Sequence, residues 1–195
     1  MSVARKIAGD TDEYLEGFIK EAKEMKPGTV NDFVKGHPGV ESVKIVPKTS
    51  DKVIVGKAYF DNNDRHIFDM VIPLGDHRSN EAVSLAIRFD DVTPVMFGID
   101  PTKSDFQVWC MQNDGYIVYD EDPRQIGLNL FSDALYANFP ELLEFGGKIK
   151  GAPYGVGYYS FLSKDETKLI YKVAAWDTIE TLGWKIVVTH PYISK

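Results

Sequence analysis

The sequence predicts an α+β fold, a long N-terminal helix packed on antiparallel sheets, and three observations carry that prediction. Apolar residues recur every three or four positions through the first segment, the period falls to two after Val40, and short turn-punctuated strands then run almost to the C-terminus. In the first segment Val3, Ile7, Tyr14, Leu15, Phe18, Ile19, Ala22 and Met25 form one stripe opposite a face of Asp, Glu and Lys, and Pro27-Gly28 ends the helix. A second short helix is expected from Val30 to Lys35, with Thr29 as its N-cap and Gly36 closing it.

Strands follow. Val43 and Ile45 alternate with Ser42 and Lys44; Val53-Ile54-Val55 leads to Ala58-Tyr59-Phe60; Asp61-Asn62-Asn63-Asp64 turns the chain; His66 to Leu74 and Ala82 to Phe89 complete the set. Connections this short imply antiparallel neighbours. A helix over Val92 to Gly98, with Asp90 or Asp91 as N-cap and Pro94 in its first turn, links to the second half. There Phe106 to Met111 and Tyr116 to Asp120 flank Asn113-Asp114-Gly115, a strong hairpin signal. Pro123 to Leu130 and Asp133 to Phe145 read as helices and loops, and Gly146 to Gly157 as a glycine-studded connection. Three strands close the chain, Tyr158 to Leu162, Leu169 to Trp176 and Trp184 to His190, with turns at Lys164-Asp165-Glu166 and Thr181-Leu182-Gly183. Two strands, a helical excursion and three strands describe a five-stranded antiparallel sheet with one face roofed. The expected organisation is a helical spine over residues 1–36, a reduced N-terminal antiparallel β module over 37–89 and a complete module over 90–195.

Composition excludes several classes. With 22 basic and 29 acidic side chains the formal charge is -7, the wrong sign for a protein that binds phosphate backbones, so no nucleic-acid partner is expected. The 44% hydrophobic and 26% charged content is that of a folded globular chain. One cysteine, Cys110, leaves no internal disulfide framework and no cysteine-based zinc knuckle. No stretch approaches the roughly 18 to 20 apolar residues of a membrane helix, and Met1 to Lys6 lacks the apolar run of a signal peptide. Two readings stay open: a soluble cytoplasmic protein, or a piece excised from a membrane protein.

Five segments together resemble a known family. "WCMQNDGYIVYDEDPRQIGLNLF" (109–131) joins a hydrophobic strand, a D-G hairpin, a second strand, a D-x-D-P turn and an I-G-x-N-L segment. "GVGYYSFL", then "YKVAAWDTIETLGWKIVVTHPY" around its L-G-W turn, and the earlier "DMVIPLGDHRSNEAVSLAIRFDDV" complete the match. The chain thereby resembles the Cache family of PAS-like extracytoplasmic sensor domains, found in histidine kinases and chemoreceptors. The resemblance covers Phe106 to Tyr192 well and the first half loosely. It implies a long helix on PAS-like antiparallel sheets and a small-molecule pocket between the sheet and its helical excursion. It also implies flanking membrane helices joined to a signalling domain. The Tyr, Arg, Trp and Asp pattern of the amino-acid-binding members is not evident, so no ligand class is inherited.

Catalytic motifs are missing. No G-x-S-x-G surrounds Ser84, Ser132 or Ser160, there is no P-loop, and Gly151, Gly155 and Gly157 are spaced as turn glycines, not as a dinucleotide fingerprint. His37, His66, His77 and His190 are scattered, without the i, i+4 pair that binds zinc, so structural roles and no metal site are expected. Asp61, Asn63 and Asp64 fall short of a calcium loop, because Arg65 stands where an oxygen donor is needed. Asp120, Glu121 and Asp122 read as a capping turn ahead of Pro123. The expected ligand-binding residues are the strand residues Trp109, Met111, Tyr119, Tyr159, Lys172 and Trp176, with Tyr136 from the roof. Trp109 shares a face with Met111, Tyr119 with Ile117, and Lys172 with Ala174 and Trp176, by strand parity. Lys172, among apolar neighbours, either snorkels at the sheet edge or meets an anionic ligand such as a carboxylate. The expected function is a non-enzymatic, extracytoplasmic small-molecule sensor domain without a cofactor, monomeric or weakly dimeric through its first helix. The alternative is a stand-alone soluble binding protein or an enzyme of the cytoplasm.

Overall fold

The computed structural model describes residues 2–26, 29–75, 80–89, 91–93, 106–162 and 168–192. His77, the Pro27-Gly28 stop, the Asp90 cap, Pro94 with the rest of its expected helix, and the Lys164-Asp165-Glu166 turn lie outside the described residues. The chain divides into two compact units, Thr11–Gly98 and Met1–Asp10 with Ile99–Lys195.

Helix α1 (Val3–Lys23) buries Ile7, Leu15, Phe18, Ile19 and Ala22 of the expected stripe, and Ala4 and Ala8 besides, but Val3 is exposed and Tyr14 only half-buried. Its residues up to Asp10 belong to one unit and the remainder to the other. Helix α2 (Val30–Gly36) buries Phe33. It departs from expectation at both ends. The Thr29 side chain makes no cap; its hydroxyl donates to the Lys26 carbonyl at 2.9 Å. Gly36 is the last helical residue, and the stop falls at His37, whose N–H donates to the Phe33 and Val34 carbonyls.

In the N-terminal unit the strands are β1 (Val40–Pro47), β2 (Ile54–Val55), β3 (Tyr59–Phe60), β4 (His66–Pro73) and β5 (Glu81–Arg88). They form an antiparallel sheet in the order β1-β5-β4-β2, with β3 also paired to β4. Burial alternates along β4 and β5, so Phe68, Met70, Ile72, Val83, Leu85 and Ile87 face the core. The 61–64 turn is built by its own first residue. Asp61 accepts from the Asn63 and Arg65 amides, both at 2.9 Å, and from the Arg65 guanidinium. Those hydrogen bonds hold its carboxyl down to about 2, and they leave the carboxylate no role as a cation ligand.

In the C-terminal unit β6 (Gln107–Met111), β7 (Ile117–Asp120), β8 (Gly155–Leu162), β9 (Leu169–Ile179) and β10 (Trp184–Pro191) are antiparallel in the order β7-β6-β10-β9-β8. Sequence order 2-1-5-4-3 is the PAS-like arrangement. Between β7 and β8 the chain makes a 3-10 turn (Pro123–Gln125), a run of turns and helix α3 (Pro140–Gly151), the expected excursion. Gly115 and Gly183 turn the β6–β7 and β9–β10 hairpins with φ of 94° and 68°, a region other residues adopt at a cost.

The glycines from 146 to 157 are not the loop that the sequence predicts. Gly146, Gly147 and Gly151 lie within α3, and Gly155 and Gly157 lie within β8. For Gly146, Gly155 and Gly157 the reason is space, whereas Gly147 and Gly151 face open space. A Cβ on Gly146 would meet Leu130 at 2.5 Å, one on Gly155 the Trp176 ring at 2.3 Å, and one on Gly157 the Phe145 ring at 2.8 Å. Helix α3 packs on this strand, and the large rings need the missing side chains.

Candidate functional site

The inner face of the C-terminal sheet carries Trp109 and Met111 on β6, Val187 and Thr189 on β10, Lys172, Ala174 and Trp176 on β9, and Tyr159 and Phe161 on β8. Its roof supplies Leu130, Tyr136, Leu142 and Phe145, and together they form one apolar cluster. Toward the β7 end the cluster opens into a cavity of about 80 Å³. That volume holds roughly half a dozen water molecules or a ligand of similar bulk.

Four of the residues expected from the sequence line this cavity: Trp109, Tyr136, Tyr159 and Lys172. Lys172 is buried and inward-facing. Its ammonium donates to Gln107 Oε1 at 3.0 Å and lies 5.9 Å from the centres of both the Tyr159 and Phe161 rings. Burial lowers its pKa, opposed by the charges of Asp120 and Glu121. The Tyr136 hydroxyl donates to Gln125 Oε1 at 3.2 Å.

Three expected residues do not line it. Met111 and Trp176 are core residues: Met111 is fully buried, and Trp176 stands edge-on to Phe145 while its indole N–H donates to the Ala152 carbonyl at 3.1 Å. Tyr119 is turned away by a bulge. Met111 pairs with Ile117 and Cys110 with Tyr119, so Val118 is an extra residue on β7. Parity therefore breaks between Ile117 and Tyr119, and Asp120, not Tyr119, stands opposite Trp109 on the roofed face.

Asp120 is the residue that sequence reasoning missed. It lines the cavity and accepts from the Asp122 amide at 2.8 Å. Burial pushes its carboxyl up to about 7, against the lowering effects of that amide and of Lys172. The neighbouring acids are otherwise engaged, as a capping turn requires. Glu121 Oε1 accepts from the Val108 amide at 3.0 Å, and Asp122 caps the 3-10 turn through the Arg124 amide at 3.1 Å and holds the Arg124 guanidinium.

Two further donors are unspent. Trp109 Nε1 and Thr189 Oγ1 are buried without a hydrogen-bond partner. Both lie near the Tyr159 hydroxyl, close enough to offset part of the rise that burial and the Asp120 charge impose on its pKa, yet neither points a well-formed hydrogen bond at it. Such groups are costly unless something satisfies them.

Three histidines and the cysteine are held by packing and backbone contacts. His37 stacks on Phe33 and its Nδ1 meets the Phe33 carbonyl, His66 lies between Phe60 and Phe89, and His190 Nδ1 meets the Pro191 carbonyl. The Cys110 thiol is fully enclosed, which pushes its pKa up and makes it unreactive. Among the described residues no three His, Cys, Asp or Glu side chains could hold a metal ion, and no helix is long and apolar enough to cross a membrane.

No family model and no curated protein matches this sequence. Solved structures do match in fold. An extracellular ligand binding receptor from Desulfohalobium retbaense superposes with a TM-score of 0.60 at 12% identity; the match covers 96% of this chain and 38% of the receptor chain. The extracellular domain assigned to a histidine kinase, soHK1S-Z6, gives 0.59 at 13% identity over 97% of this chain and 92% of that one. The ligand-binding domain of the Pseudomonas aeruginosa PAO1 amino acid chemoreceptor PctB, in complex with L-Arg, gives 0.61 at 10% identity over 97% and 92%. The fold is that of the extracellular, Cache-type sensor domains of histidine kinases and chemoreceptors.

Proposed function

We propose that this chain, built on the Cache-type fold, is a non-enzymatic, extracytoplasmic sensor domain that binds a small molecule in the cavity of its C-terminal unit. Its parent would be a histidine kinase or chemoreceptor, with flanking membrane helices and a signalling domain. The observation that carries the reading is the cavity's polar equipment: Asp120 and Lys172 at its wall, with two buried donors, Trp109 Nε1 and Thr189 Oγ1, unpartnered. Apolar walls with a few convergent polar groups are the usual make-up of a ligand pocket. Lys172 and the Trp109 indole call for an acceptor such as a carboxylate, and Asp120 accepts a donor, so a small amphoteric molecule satisfies both. Tyr159 and Tyr136 supply the walls, while Met111 and Trp176 hold the floor from within the core.

Thermal-shift screening of the chain against small carboxylates, amino acids and amines tests this. A ligand at 100 times its dissociation constant adds about 2.7 kcal/mol of stability. Lys172→Ala and Asp120→Asn are expected to weaken the best ligand at least tenfold by calorimetry. Trp176→Ala is expected to lower ligand-free stability by about 3–5 kcal/mol, since it empties a core position. No stabilisation by any of the three classes, or hits bound equally well by both wall variants, would overturn the site; turnover of a hit would overturn the non-enzymatic reading.

A further inference from the structure

The outer face of the C-terminal sheet is unequal along its length. Near one end it is covered: Ile186 and Val188 are buried, and Arg5 of α1 reaches the face to pair with Asp177 at 3.2 Å. On β8 and β9 much of the face is open, although Ser160 is buried and Val173 and Ala175 are half-buried. Val156 and Tyr158 on β8 share this side with Ala175 and Val173 on β9, with which they pair, and Tyr171 and Leu169 follow Val173 at steps of two along β9. Tyr192 joins them, its ring 6.3 Å from that of Tyr158 and its N–H donating to the Tyr171 carbonyl at 2.7 Å. Tyr154, beneath the Arg5 guanidinium, extends the patch. All six are between 53% and 73% exposed.

From these residues we infer that the outer face of β8 and β9 is a self-association surface, on which a second copy of this chain packs face to face about a two-fold axis. Size is the first argument. Taking about 200 Å² for an exposed tyrosine, the six side chains offer roughly 700 Å², close to the ~800 Å² that each partner contributes to a standard interface. A monomer's largest apolar patch is ordinarily smaller. Composition is the second: tyrosines dominate, and β8, with the outward positions of β9 as far as Ala175, carries no charged residue. Two copies of net charge -7 repel wherever their surfaces carry that charge, and this face is where contact avoids it. An isologous contact sets tyrosine against tyrosine, so the hydroxyls can satisfy one another. Arg5, over Tyr154 and paired with Asp177, is the one cation the described residues place beside the patch, which disfavours a membrane surface as the occupant, because interfacial binding to anionic lipid needs several cations beside the aromatics. The first helix is not the alternative contact, since most of its apolar stripe is already buried in the single chain.

Sedimentation velocity on the whole chain, from micromolar to submillimolar concentration, decides the matter. Expected is a concentration-dependent dimer whose dissociation constant rises at least tenfold in both Tyr158→Lys and Val156→Glu. Circular dichroism and melting should stay as in the parent, and Phe60→Lys, an exposed aromatic of the other unit, should leave the dimer intact. A monomer throughout the range would overturn the proposal. So would a dimer indifferent to both patch variants, or capture by lipid vesicles without self-association.

Discussion

A glycine within a strand normally weakens it, through backbone entropy and a lost side chain. Gly155 is the reverse case, because the Trp176 ring occupies the volume where its Cβ would stand. Gly155→Ala is therefore expected to destabilise the chain by about 1–3 kcal/mol through overpacking. Gly147 provides the contrast: it is exposed in α3 with nothing within 4 Å of a Cβ, so Gly147→Ala should stabilise by about 0.5–1 kcal/mol. Urea titrations of the two variants test the assignment, and a common sign for both would refute it. The sequence displays these glycines identically; only the neighbouring rings separate them.

At the scale of the element, the D-x-D-P turn does two jobs with two carboxylates. Asp122 is the cap, as its position before Pro123 predicts, and it also fixes Arg124 by a two-pronged contact at 2.9 and 2.8 Å. Asp122→Ala should cost about 1 kcal/mol in chemical denaturation, the usual worth of a side-chain cap; a loss below a few tenths would show the turn to be held otherwise. Asp120 leaves the cap and enters the cavity because the bulge at Val118 shifts the strand by one residue. A one-residue shift exchanges the faces of everything beyond it. That is why Tyr119, well placed by alternation, stands away from the roofed face.

For the molecule as a whole the clearest consequence is its response to pH. Asp120 has a carboxyl raised from 3.8 to about 7, so between those values the folded chain holds a proton that the unfolded chain has released. Stability should then fall as pH rises from about 4 to about 7 and level off above, with a slope of at most ~1.4 kcal/mol per pH unit. Asp61 acts in a separate window and with the opposite sign: its contribution is present above its ordinary value and fades as pH falls toward about 2. Urea unfolding of the parent and of Asp120→Asn, measured from pH 4.5 to 8, isolates the first effect. The two stability curves should converge toward low pH and separate near neutrality; parallel curves would show that Asp120 ionises freely.

What the sequence determined by itself was whatever rests on local periodicity and turn chemistry. The stripe of α1, the alternation in β4 and β5, the D-G hairpin at Gly115 and the strand–excursion–strand order specify a helix on antiparallel sheets, because each depends on residues a few positions apart. The same locality put Lys172 on one face with Ala174 and Trp176, since burial alternates along β9 from Lys172 to Asp177, but it left open which face is roofed. What only the tertiary structure decided were the features set by distant partners. The bulge on β7 exists in the pairing with β6, Gly155 and Gly157 of β8 answer to rings on other elements, and Trp109 and Thr189 are left unpartnered by what surrounds them. None of these has a local pattern, because register, close approach and an unsatisfied donor arise only between elements already packed together.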